Sequence, residues 1–182
     1  MSDCLITDGI LREGCYKSVG GILEAYITNK ENVTAIVPDL DGIGTPSDEG
    51  IVTGITLATS TYFQVFQPNK DSSSWNEEIM SEVPNGTIGY NQSVNLIFAK
   101  KDATKRNIIR LLGLSDLIAI VKDMQGKYWL LGEWNGLDLT EGSGESGVML
   151  NDLNGWNITL SGPSKSPARE VDPDIIDDLF EA

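Results

Sequence analysis

Histidine is absent from the 182 residues, cysteine occurs twice, and 13 Lys+Arg stand against 27 Asp+Glu. The lack of histidine removes the commonest proton shuttle near neutral pH, the Ser-His and Cys-His nucleophile pairs and the His-containing zinc sites. Most hydrolase and metalloenzyme mechanisms go with it. A formal net charge of −14 repels phosphate from most of the surface, which argues against a conventional DNA or RNA binder. Cys4 and Cys15 form no CxxC and have no histidine beside them, so they read as buried free thiols. No apolar run approaches the roughly 20 residues that span a bilayer. The opening MSDCLITDGILREGCYK has no basic segment followed by an apolar core, so the expectation is a soluble protein made in a cytoplasm. The sequons at Asn32, Asn85, Asn91 and Asn157 then read as strand and turn chemistry.

What is present is β punctuation. Runs rich in β-branched and aromatic residues recur between Gly, Asn, Asp and Pro clusters. The pattern predicts strands at 22–28, 33–37, 51–58, 61–67, 75–83, 87–100, 117–122, 127–133, 137–140 and 156–161. Pro84-Asn85-Gly86 between two long runs predicts a long hairpin from Trp75 to Lys100, because Asn-Gly readily takes the positive φ of a tight turn. Asp123-Met124-Gln125-Gly126 and Asn154-Gly155 carry similar turn signals. One helix is expected, capped by Asp102 or Thr104 and ended by a left-handed Gly113. Thr104, Ile108, Leu111 and Leu112 would form its apolar stripe, with Lys105, Arg106 and Arg110 on the other side. Pro38–Gly50 and the GSGESG stretch at 142–147 read as a loop and a flexible bridge. Residues 1–162 are expected to form the β domain and 163–182 an extended acidic arm with a short helix at 174–181. In that arm Ile175, Ile176, Leu179 and Phe180 make a stripe that wants a partner.

Motifs that would carry chemistry fail on spacing. Asp39-Leu40-Asp41-Gly42 opens like a calcium loop, but Gly50 stands where the twelfth-position Glu should be, so a solvated acidic loop is preferred over a site from Asp39, Asp41, Asp48 and Glu49. Gly14-Cys15-Tyr16-Lys17-Ser18 lacks the second glycine of a phosphate-binding loop. Glu77 and Glu78 are adjacent on a strand and point to opposite faces, so they cannot share one cleft as an acid and base pair. The expectation is a non-enzymatic protein without cofactor or metal.

The segments Asp8–Ile36 and Leu130–Gly162 resemble virion structural proteins of tailed bacteriophages that infect Bacteroides-like gut bacteria, the crAss-like group included. The shared features are Gly14-Cys15 before Ser18-Val19-Gly20-Gly21, Leu131-Gly132 before Asn135-Gly136, and Asp152 with Asn154-Gly155 opening the last strand. The resemblance implies a tail-tube-like fold: a mainly β sandwich or partly closed barrel with one flanking α-helix, a long β-hairpin and an extended C-terminal arm. It also implies a homo-oligomeric ring, hexameric or higher, in the virion tail, beside other tail or portal-proximal proteins. Assembly would take place in the host cytoplasm.

Electrostatics gives this reading a reason of its own. A conduit for DNA works best when its wall repels phosphate weakly everywhere, since a wall cation would hold each passing phosphate. Glu77, Glu78 and Glu82 on the long hairpin are the expected lumen-facing residues. Lys101, Lys105, Arg106 and Arg110, together with Ile175, Ile176, Leu179 and Phe180, are the expected subunit interface. The alternative is a β-sandwich capsid decoration or fibre domain that binds a surface glycan through exposed Trp75, Trp129, Trp134 or Trp156.

Overall fold

The computed structural model describes residues 18–39 and 50–180. The strands are β1 (Ile22–Asn29), β2 (Val33–Val37), β3 (Gly54–Leu57), β4 (Gln64–Phe66), β5 (Ser74–Glu82), β6 (Thr87–Ala99), β7 (Leu117–Asp123), β8 (Tyr128–Leu131), β9 (Asp138–Glu145), β10 (Gly155–Ser164) and β11 (Arg169–Val171). The helix α1 (Ala103–Leu112) lies between β6 and β7. The fold is mainly β, with every strand pair antiparallel. Among the described residues the strands form a five-stranded sheet (β11-β8-β7-β1-β4), a four-stranded sheet (β5-β6-β10-β9) and the β2-β3 hairpin, and none closes into a barrel.

Strand β7 shows why the layers stack as they do. Its five residues Leu117–Val121 are all buried, the pattern of a strand covered on both faces. Leu117, Ala119 and Val121 join Val94 and Leu96 of β6 and Ile158 and Leu160 of β10 in one cluster, which fixes the two larger sheets face to face. Ile118 and Ile120 point the other way, into a second cluster with Val52, Phe63, Val171, Ile176 and Leu179. In β1 a bulge between Ile22 and Glu24 returns Ile22 to the same face as Ala25 and Ile27.

The C-terminal segment departs from the expected free arm. Strand β10 runs through the anticipated boundary at 162, and β11 then pairs with β8 through Arg169–Leu130, Glu170–Trp129 and Val171–Tyr128. Val52 joins alongside, with its N–H on the Glu170 carbonyl at 2.8 Å and its carbonyl accepting from Asp172 N at 2.9 Å. In place of a helix at 174–181 stand two short 3-10 turns, Pro173–Ile175 and Asp177–Leu179. The reason is the second cluster: the outer face of the five-stranded sheet is apolar, and the tail covers it together with Val52, Phe63 and the β2-β3 hairpin.

Two further expectations are corrected. The glycine-rich stretch is not a bridge, because Gly142–Glu145 belong to β9. Its glycines lie opposite Ile158 and Trp156 of β10, and the Trp156 ring occupies the space a side chain at Gly144 would need. Gly113 ends α1 in right-handed conformation at φ −77, and a Cβ there would crowd the Leu139 side chain at 3.3 Å. It is small so that β9 can approach, not to turn left-handed. Left-handed glycines do stand at the two expected hairpin turns, Gly86 (φ 64) and Gly126 (φ 84). Cys4, Cys15, the Gly14–Lys17 stretch, Asp41, Asp48 and Glu49 lie outside the described residues.

Candidate lumen face and assembly surfaces

The four-stranded sheet carries charge of one sign. Strands β5, β6, β9 and β10 read SWNEEIMSE, TIGYNQSVNLIFA, DLTEGSGE and GWNITLSGPS, with carboxylates at Glu77, Glu78, Glu82, Asp138, Glu141 and Glu145 and no lysine or arginine. Alternation divides these residues between faces. Val94, Leu96, Ile158 and Leu160 point into the core. The outer face is polar, with the Asn95 amide donating to Asn157 Oδ1 at 2.8 Å and to Thr159 Oγ1 at 3.2 Å, and Thr140 and Ser161 hydroxyls 3.0 Å apart. Glu78 and Glu82 are exposed on it.

Glu77 belongs to the opposite face. Its Oε1 accepts from Ala168 N at 2.7 Å and from the Gln92 amide at 3.2 Å. Gln92 is buried, and its own oxygen accepts from Gly132 N at 2.9 Å. One glutamate therefore ties β5, β6, the end of β8 and the approach to β11 together, and the expectation that it shares one wall with Glu78 and Glu82 is corrected. The partners Gly132 and Ala168 are distant in sequence, so local pattern carries no trace of this network. Local pattern does not place Glu141 and Glu145 on this face either, because it ends the strand at 140 and reads 142–147 as a bridge.

The basic cluster is partly committed within the chain. Lys105 Nζ donates to the carbonyls of Ala99 at 2.7 Å and Lys100 at 3.1 Å and pairs with Asp102 at 3.5 Å. Asp102 is the helix cap, accepting from Lys105 N at 2.7 Å, and that backbone donor lowers its carboxyl pKa. Lys101 stands over the Trp156 ring at 5.1 Å. Arg106 and Arg110 are exposed, whereas Ile109 packs on the core beside buried Leu112 and Leu111 stays exposed. The helix thus turns Ile109 rather than Leu111 inward. Ile176 and Leu179 are buried in their own domain, with Ile175 and Phe180 against the same cluster, so the apolar tail stripe is used intramolecularly.

Among the described residues, three apolar surfaces that local pattern does not reveal are exposed. The β5-β6 hairpin projects beyond the sheet, since β10 pairing stops at Tyr90 while β5 pairing continues to Glu82–Thr87, and Ile79, Val83 and Ile88 are 64%, 84% and 62% exposed there. A groove of about 970 Å³ lies between β4 and α1, lined by Val65, Phe66, Phe98, Ile108 and Leu111. The third is the loop between β9 and β10, where Val148, Met149 and Leu150 are exposed. Their visibility follows from coverage, which only the tertiary arrangement defines.

That last loop is held by a carboxylate. Asp152 accepts from Val148 N at 2.8 Å and Met149 N at 2.7 Å, and these donors, Met149 first, lower its pKa below the ordinary 3.8. A depressed folded value means that the stabilisation is present above the ordinary value and is lost as pH falls through the folded value. Amide exchange at Val148 and Met149 is expected to be slow at neutral pH and to accelerate on acidification below 3.8 beyond the intrinsic trend. Asp152→Ala should show the fast exchange already at neutral pH; unchanged protection in that variant overturns the assignment.

A second titratable group of contacts lies on β1 and its neighbours. The Tyr26 hydroxyl donates to Glu24 at 2.7 Å, which lowers the Glu24 pKa, while burial, then Glu24, pushes Tyr26 well above the usual phenol value. Lys122, 5.2 Å from the Tyr128 ring, is held charged chiefly by its contact with Tyr128. Among the described residues no group of three or more His, Cys, Asp or Glu is placed to hold a metal ion, and no helix is long and apolar enough to cross a membrane. No family model, curated protein or solved structure matches the chain.

Proposed function

We propose that this chain is a structural subunit of a tailed-bacteriophage virion, of the tail-tube-like or tail-ring kind, and that copies of it form a ring or tube through which the genome passes. The observation that carries the reading is the four-stranded sheet with six carboxylates and no cation along its strands. Turned toward a hollow axis, its polar outer face presents Glu78, Glu82, Glu141 and Glu145 to passing DNA and holds no phosphate. Asn, Ser and Thr side chains between the acids keep the wall wetted without adding charge. The edges at β4, β5 and β9 offer backbone for pairing between copies, which a closed ring uses up. The parts of the reading that rest on resemblance are the phage tail itself, the ring order and the neighbouring virion proteins.

Size-exclusion chromatography with light scattering, followed by negative-stain electron microscopy, is expected to show rings or short tubes that grow with concentration. Duplex DNA should not be retained by them at physiological salt. Replacing Glu78, Glu82 and Glu141 by lysine should convert the same assemblies into salt-sensitive DNA binders. A monomer at every concentration, or unmodified rings that retain DNA, overturns the proposal. The glycan-binding alternative rests on Trp134, the most exposed of the four indoles, and predicts fluorescence quenching by a glycan that Trp134→Ala abolishes.

A further inference from the structure

We infer that the β5-β6 hairpin tip of one copy seats in the β4-α1 groove of the next, which makes the joint between subunits heterologous. The inference rests on the self-assembly just proposed and names its contact. The hairpin tip is a two-stranded ribbon whose inward face continues past the sandwich as Ile79 and Ile88, with no layer above it among the described residues, and Val83 caps its end. An uncovered apolar ribbon of this kind is an association surface in a folded protein. Its acids, Glu78 and Glu82, sit on the other face.

The groove supplies what such a ribbon lacks. One wall is β4, an edge strand whose free side carries no neighbour among the described residues, and the other is α1 with Ile108 and Leu111 exposed. Among the described residues no aspartate or glutamate lines it, and the one charged lining residue is Lys105. In a chain of net charge −14, two copies can approach closely only where acids are missing on one side, and the groove is such a place.

Geometry rules out the intramolecular version of this contact. Ile88 near the tip and Phe98 in the groove lie on the same strand β6, ten positions apart, a separation of about 33 Å at ~3.3 Å per residue. The tip and the groove therefore occupy opposite ends of the molecule, and a second copy is needed to join them. A contact between two unlike patches propagates head to tail, and it closes into a ring if the rotation permits.

Two half-broken variants test this. Val83→Asp with Ile88→Asp spoils the tip and leaves the groove; Ile108→Asp with Leu111→Asp spoils the groove and leaves the tip. All four positions are exposed, and circular dichroism checks that both variants fold as the unmodified chain does. Each variant alone should need about tenfold higher concentration or more to associate, by the loss of apolar burial at the joint. Their equimolar mixture has one intact tip and one intact groove per pair, so it should give dimers that grow no further. If the unmodified chain assembles and either variant assembles equally well, the joint lies elsewhere and this inference falls while the ring reading stands. A folded mixture that stays monomeric likewise overturns the joint. If the unmodified chain is monomeric at every concentration, both readings fall together.

Discussion

Arg169→Met is expected to destabilise the protein by about 3–5 kcal/mol, the cost of leaving a buried charge without its partner. The Arg169 guanidinium grips Glu133 with two nitrogens, one contact being Nε to Oε2 at 2.9 Å, while Nη1 donates to the Pro38 carbonyl at 2.8 Å. The two side chains are 5% and 12% exposed. A fork of donors held in this way joins three otherwise separate pieces: β11, the turn after β8 and the exit of β2. Methionine keeps the stem packing and removes every donor, which strands Glu133. The double variant Arg169→Met/Glu133→Leu removes the orphan as well and should recover most of the loss. Urea unfolding at neutral pH measures both. A change under about 1 kcal/mol in the single variant, against the 3–5 expected of a buried pair, would show that water reaches the site and replaces the bond.

Gly162→Ala is the second large effect. A Cβ on Gly162 would overlap the carbonyl oxygen of Gly136, which is backbone and has no rotamer by which to withdraw. Gly136 is itself fixed, donating its N–H to the Gly132 carbonyl at 2.9 Å beside the paired bonds between Leu117 and Leu137 at 2.9 and 2.7 Å. Relief requires β10 to move away from the crossing that holds the two large sheets together. The expected loss is about 3 kcal/mol or more, which for a chain of this size lowers Tm by roughly 6–12 °C. Gly142→Ala is the control, since its Cβ would meet Ile158 Cγ2 at an ordinary 3.8 Å. That change should stay within about 1 kcal/mol. Equal melting shifts in the two variants would remove the backbone crossing as the explanation.

Period-two hydrophobicity and turn chemistry carried the reading a long way. Strands β1, β2, β5, β6, β7 and β8 lie where alternation and the Asn85-Gly86 and Gln125-Gly126 turns put them, and Asp102 caps α1 as its side chain and position suggested. The failures share a cause. Glycines at 142 and 144 look like a linker because their cover, Ile158 and Trp156, comes from another strand. Residues 169–171 are too short to show a period, and β11 exists because β8 offers an open edge. The spacing of the apolar tail stripe calls for a partner, but local pattern does not say whether that partner is the same chain or a neighbour. Glu78 and Glu82 follow from counting along a strand, as does the opposite orientation of Glu77; the network that absorbs Glu77 does not. The groove is invisible in sequence, since its walls, β4 and α1, are brought side by side only by the sheet order.

The one-signed sheet would also govern the proposed assembly of copies. Any closed arrangement that turns these strands inward concentrates their carboxylates around a common axis, and their mutual repulsion opposes closure until mobile cations gather there. At the ionic strength of a cell that repulsion fades over about 8 Å, shorter than the span of the sheet, so each subunit senses chiefly its immediate neighbours. In such an arrangement the counterion cloud would be a component of the assembly, and dilution of salt would be a means of taking it apart.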